Sequence, residues 1–107
     1  MKIELTVKRY EIMIQALLIN DQRRIAVNEF DDVISVLHKL KRVGVPSQMH
    51  GGIQLYDLIA HDIPQSIELE RSERNCLISF IKCPIWRADS LEAVQETIVY
   101  LEGFKNG

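Results

Sequence analysis

Nowhere in these 107 residues do about 18 apolar side chains run together, so the sequence offers no stretch that could cross a membrane as a helix. Cysteine is scarce. Cys76 and Cys83 lie seven apart within one apolar run, and on a strand that odd spacing sets them on opposite faces, unable to bridge. Reduced, packed thiols and a cytoplasmic location are therefore expected. No His-x-x-x-His and no Cys-x-x-Cys occurs, so the usual zinc spacings are missing. Neither G-x-G-x-x-G nor G-x-x-x-x-G-K-S/T is present, and Gly51-Gly52 alone reads as a turn rather than a phosphate cradle. No metal and no cofactor is expected. Aromatic residues make up 7%, nowhere interleaved with bases, and the net charge is −2; both argue against a dedicated nucleic-acid binder. The opening residues alternate charged and apolar side chains and lack the apolar core of a signal peptide.

What is present is a globular composition, 47% hydrophobic and 26% charged, at a length typical of one domain. Residues 1–107 thus read as a single domain around one core. Charge is uneven: residues 1–53 carry eight Lys/Arg against six Asp/Glu, and residues 54–107 carry five against nine. An acidic face built from the C-terminal half is one consequence to look for.

Ile3, Leu5 and Val7 alternate with Lys2, Glu4, Thr6 and Lys8, as in a half-buried strand. A one-residue phase shift follows, which a bulge at Lys8-Arg9 would explain. Residues 10–19 fit a helical stripe through Tyr10, Met13, Ile14, Leu17 and Leu18. They equally fit a strand, and the Asn20-Asp21 turn leading to Ile25-Ala26-Val27 favours a hairpin.

Asn28 is a helix N-cap candidate. Glu29, Asp31 and Asp32 follow it, and Phe30, Val33, Ile34, Leu37 and Leu40 recur at helical spacing. Lys39, Lys41 and Arg42 suit the last turn, and Gly44 with Pro46 stops the helix. Residues 46–53 look like a loop and 54–61 like a short helix. Ile67 and Leu69 mark a strand, Ser72-Glu73-Arg74-Asn75 a turn, and 76–83 an apolar strand at the centre of the sheet. A second helix opens at Asp89 and Ser90 and buries Leu91, Val94, Ile98 and Leu101. The expected fold is α+β, an antiparallel or mixed sheet of about five strands with two main helices. The element order is β-β-β-α-(short α)-β-β-α.

No residues stand at a spacing that a reaction requires, so function is expected to lie in a surface. The expected role is that of a small protein-binding module, an inhibitor or immunity-type protein of bacterial type that occludes a partner toxin or enzyme. Asp57, Asp62, Glu68, Glu70 and Glu73 would face a basic partner. Trp86 and Arg87 are residue types common at interface hot spots, although a Trp sealing the core rim with its N–H on a carbonyl explains Trp86 as well. His50, in the 46–53 loop, completes the set. Two alternatives stand beside this one. A ligand-binding domain or enzyme would have a pocket near His50, His61 and Asp57. A regulatory or nucleic-acid-binding homodimer would share the edge strand 2–8.

Overall fold

Ile3 and Leu5 point inward and Lys2 and Glu4 outward, as the alternation requires, in strand β1 (Lys2–Leu5). The chain then turns into a helix rather than a bulged strand. The Thr6 hydroxyl accepts the Arg9 amide at 3.1 Å and caps α1 (Val7–Leu18). The computed structural model describes residues 1–19, 25–59 and 64–104. The Asn20-Asp21 turn expected from the sequence lies outside these.

Helix α1 corrects the strand expected over 10–19. Tyr10, Ile12, Met13, Ile14 and Ala16 are all buried, because α1 packs against the three later helices and one strand of the hairpin described below. Full burial of a large apolar side chain contributes about 1.5–3 kcal/mol. The helix-propensity deficit of an isoleucine is a few tenths of that, at most about 0.7 kcal/mol. Packing therefore decides in favour of helix despite Ile12 and Ile14. No strand follows at 25–27: Ile25 and Ala26 are irregular and exposed, and a 3-10 turn spans Val27–Glu29.

Helix α2 (Phe30–Arg42) is the first helix expected, with Asp31 and Asp32 in its first turn and Lys39, Lys41 and Arg42 in its last. Asn28 does not cap it; it sits within the preceding 3-10 turn. The buried stripe is Val33, Val36 and Leu40, while Phe30 and Ile34 face outward.

The stretch expected as a loop and short helix is a β-hairpin, β2 (Gly44–His50) and β3 (Ile53–Leu58). Gly51 and Gly52 form its two-residue turn with φ of 55° and 83°, both in the left-handed region that glycine tolerates. Strand β2 is exposed on both faces beyond Gly44, and a bulge shifts the register between Pro46 and Met49. The hairpin is rooted where the Val43 carbonyl accepts the Ile59 amide at 3.0 Å, so pairing alternates outward from there. That alternation points the Pro46 nitrogen away from β3, where its missing N–H breaks no ladder bond.

Strand β4 (Gln65–Glu68) pairs antiparallel with β1, from Lys2 opposite Glu68 to Leu5 opposite Gln65. The centre of the expected sheet is instead helix α3 (Arg71–Lys82), and the expected turn at 72–75 is its first turn. Neither Cys76, which is buried, nor Cys83, which is exposed, is joined in a disulfide. Seven residues along a helix separates them by about 10 Å, beyond disulfide reach for a different reason than the one expected. A 3-10 turn (Ala88–Ser90) leads into α4 (Leu91–Glu102), the second helix expected. Asp89 plays no capping part, because Ser90 holds the N-cap position and makes no side-chain cap bond.

The class is α+β, and among the described residues there are four helices and two separate two-stranded antiparallel sheets in place of five strands and two helices. The order along the described chain is β-α-α-β-β-β-α-α. One cluster of buried side chains draws on all four helices and both sheets, with α1 at its centre.

A candidate protein-binding surface on the last helix

Helix α4 has a core-facing stripe and an outer side that places two apolar residues, Leu91 and Val99, on either side of Gln95. Val94, Thr97 and Leu101 face the core, and the Thr97 hydroxyl donates to the Ala93 carbonyl at 2.7 Å, so nothing polar is left unpaired on that side. On the outer side, Leu91, Gln95 and Val99 repeat every four residues. With Glu92, Glu96 and Tyr100 they line a shallow, open groove of about 670 Å³. Leu91 is 55% exposed and Val99 58%. Single exposed apolar residues are ordinary, but a stripe that forms one groove is not.

A fixed polar joint braces this groove. The Arg9 guanidinium on α1 bonds both carboxylate oxygens of Glu96, with contacts of 2.6, 3.0 and 3.2 Å. It also donates to the Glu4 carbonyl at 3.1 Å and lies 3.6 Å from the centre of the Tyr100 ring. The Glu96 hydrogen bond, outweighing some desolvation, raises the Arg9 pKa further. Tyr100 accepts the Glu4 amide on its hydroxyl at 2.8 Å and packs edge-on against Phe104, ring centres 5.2 Å apart.

This joint bears on the edge-strand dimer. Met1 and Leu69 exchange backbone bonds, so the alternating ladder turns the Glu4 N–H and C=O toward the open edge of β1. Tyr100 takes the one and Arg9 the other, which closes that position to a second strand.

The described residues expected to form an acidic face sit in different surroundings. Glu73 is only 3% exposed and cannot face a partner. Its carboxylate accepts from Lys39 Nζ at 2.8 and 3.0 Å, from the Ser35 hydroxyl, and from the Glu70 amide at 2.8 Å, clamping α2 to the start of α3. Burial pushes the Glu73 pKa up, but these hydrogen bonds outweigh it and hold the group below its ordinary value. Glu68 and Glu70 are exposed, yet they line clefts together with Lys39, Arg42 and Arg71, and Glu68 lies 3.6 Å from the N-terminal ammonium. The field there is mixed in sign rather than acidic. Asp57 is exposed on β3 opposite Val45, and Asp62 lies outside the described residues.

Trp86 is half-buried and donates its ring N–H to the Ile81 carbonyl at 2.8 Å, the core-rim arrangement, where it meets the end of α3. Arg87 is exposed and pairs loosely with Asp89 at 3.8 Å. His50 is exposed at the hairpin tip, paired with Ile53. Asp57 is four residues further along β3, about 13 Å at 3.3 Å per residue, so the two cannot share a small pocket. His61, the third member of that reading, lies outside the described residues.

Two other features compete with the α4 groove. Arg74 is buried, with Nε and Nη2 on the Asn75 side-chain oxygen and Nη1 unpaired, beside a cleft of about 310 Å³. Glu102, held by Lys82 at 3.0 Å, lines that same cleft, so it offers an arriving anion a repelling carboxylate. Val27, Phe30 and Ile34 are also exposed, on the 3-10 turn and the first turns of α2. Among the described residues, no group of three or more His, Cys, Asp or Glu could hold a metal ion, and no helix is long and apolar enough to cross a membrane.

Helical spacing in the sequence places Leu91 in the buried stripe and gives Val99 no role. The available signal was an excess: α4 has apolar residues at 91, 94, 98, 99 and 101, more than one stripe can hold. Compared with protein-family models, with curated proteins and with solved structures, the chain matches none of them.

Proposed function

We propose that this chain is a protein-binding module that works by covering a surface of its partner, as an inhibitor or immunity-type protein covers a toxin or enzyme. The observation that carries this reading is the outer stripe of α4, an apolar groove on a helix whose other face is already fully used by the core. Leu91 and Val99 are each a little over half exposed. Completing their burial against a partner would contribute roughly 1–1.5 kcal/mol apiece, from about 1.5–3 kcal/mol for whole side chains. The Arg9–Glu96–Tyr100 joint holds the groove wall in place before binding, so little ordering entropy opposes association.

The test is a comparison of retained partners. Wild type should hold a stoichiometric protein that the Leu91→Ser/Val99→Ser double variant loses, with the variant's melting temperature little changed because both positions face outward. Glu68→Lys/Glu70→Lys should keep the partner. If the charge reversal abolishes retention and the α4 variant does not, the binding surface belongs around β4 and the α4 reading fails.

A further inference from the structure

We propose that Pro46 and the bulge beside it keep the open edge of β2 from pairing with β2 of a second copy of this chain; the inference does not depend on the α4 groove. In length and composition β2 is a pairing site. It has seven residues, is exposed at every position from Val45 to His50, and its sequence Gly-Val-Pro-Ser-Gln-Met-His holds no lysine, arginine, aspartate or glutamate. Val45 and Met49 are 46% and 60% exposed. A flat, uncharged edge of this kind recruits further strands, and charged side chains, lysine above all, are a usual protection against it.

The protection of β2 lies in its backbone instead. The Ile59 amide bonds the Val43 carbonyl, so the hydrogen-bonded pairs alternate from there and fall next at Val45 with Asp57. Residues 44 and 46 therefore turn their backbone groups away from β3, toward the open edge. At that edge Pro46 has no N–H to give. An antiparallel pairing of two copies is two-fold symmetric, so the missing donor is lost twice. Beyond Pro46, an extra residue stands before Met49, opposite the two-residue step from Tyr56 to Gln54. Such a bulge bends the strand and steepens its twist, so a straight second strand that followed residues 44–46 would diverge before reaching 49. The two sheets thus close their edges by different means. On β1, the side chains of Tyr100 and Arg9 take the backbone groups of Glu4, whereas β2 is guarded by its own chain.

The test restores the donor and then removes the extra residue. Pro46→Thr adds an outward N–H and breaks no bond of the hairpin. Deleting Gln48 in that background returns residues 46 and 49 to the two-residue step of their partners. Sedimentation equilibrium measures self-association, and hydrogen exchange followed by two-dimensional NMR locates the contact. The wild type should stay monomeric at millimolar concentration. Pro46→Thr should dimerise with new amide protection at residues 44 and 46, and the chain that also lacks Gln48 should dimerise about tenfold more tightly. Adding Val45→Lys should return either to monomer. If the deletion disturbs the core amides, Pro46→Thr decides alone, since it leaves the hairpin register untouched. A folded Pro46→Thr chain that stays monomeric at millimolar concentration would overturn the proposal. So would a wild-type dimer protected at residues 44–50, or a variant dimer protected only elsewhere.

Discussion

Replacing Gly44 with alanine probes the joint that roots the hairpin to the helical core. A Cβ at this position would overlap the Tyr10 hydroxyl and stand 3.0 Å from Tyr10 Cζ and 3.2 Å from the Asp57 carbonyl. The tyrosine cannot step aside without loss. Its hydroxyl donates to the Leu40 carbonyl at 2.8 Å in a site where the residue is 1% exposed. Burial, aided by the charge of Asp57, pushes its pKa to about 12. Displacing it leaves a buried hydroxyl and carbonyl unpaired, about 1–3 kcal/mol, and overpacking adds about 1–3 kcal/mol if the ring also shifts. A total of about 2–6 kcal/mol lowers the melting temperature of a domain this size by roughly 10–25 °C.

Thermal or urea unfolding of Gly44→Ala, Tyr10→Phe and the double variant closes the cycle. Because Tyr10→Phe removes the overlapped atom, Gly44→Ala should be milder by about 1–2 kcal/mol in that background. A Gly44→Ala loss under 0.5 kcal/mol, or strict additivity in the cycle, would refute the account of this joint.

Two further outcomes follow from the geometry of named side chains. The Glu73 carboxyl has a lowered folded-state pKa, so its contribution is present above the unfolded value near 4.3–4.5 and is lost as pH falls through the folded value. Melting temperature should therefore drop below about pH 4.5, and Glu73→Gln should flatten that acid limb while destabilising the protein at neutral pH by roughly 1–3 kcal/mol, since Lys39 is partly exposed. Tyr100→Phe removes the acceptor of the Glu4 amide, so hydrogen exchange at Glu4 should accelerate while Ile3, bonded within the ladder, stays protected. Unchanged exchange at Glu4 would mean that the tyrosine does not close the β1 edge.

What the sequence disclosed follows burial. Strands β1 and β4 and helices α2 and α4 each bury one face, so their periodicity shows in the order of residues. Helix α1 is packed from several sides and buries Ile12, Met13 and Ile14 in succession, which erases the 3.6-residue rhythm and imitates a strand. Its length, ten residues from Tyr10 to Ile19 of which eight are apolar, is the signal for helix. Helix α3 misleads in the same way, since Cys76, Leu77, Phe80 and Ile81 are all buried. Its polar first turn looked like a loop because Glu73 and Arg74 are buried through partners that only the fold supplies.

The hairpin failed for the opposite reason. Strand β2 is exposed on both faces and carries no alternation, so only the two-residue Gly51-Gly52 turn announced it. As for the site, an acidic C-terminal half was legible, but its arrangement was not. Glu73 is withdrawn into an ion pair and Glu68 and Glu70 lie among cations, while Glu92 and Glu96 flank an apolar stripe visible only once the core-facing side of α4 is known.

The central claim is that this domain acts through the outer face of α4. It is tested most directly by placing a photo-crosslinking amino acid at Val99, and separately at Gln48 on the exposed hairpin, and irradiating the protein in its native host. Both positions are open to solvent and tolerate a larger side chain. The account predicts one discrete protein adduct from position 99 and none from position 48. A discrete adduct from position 48 with none from position 99 would contradict it.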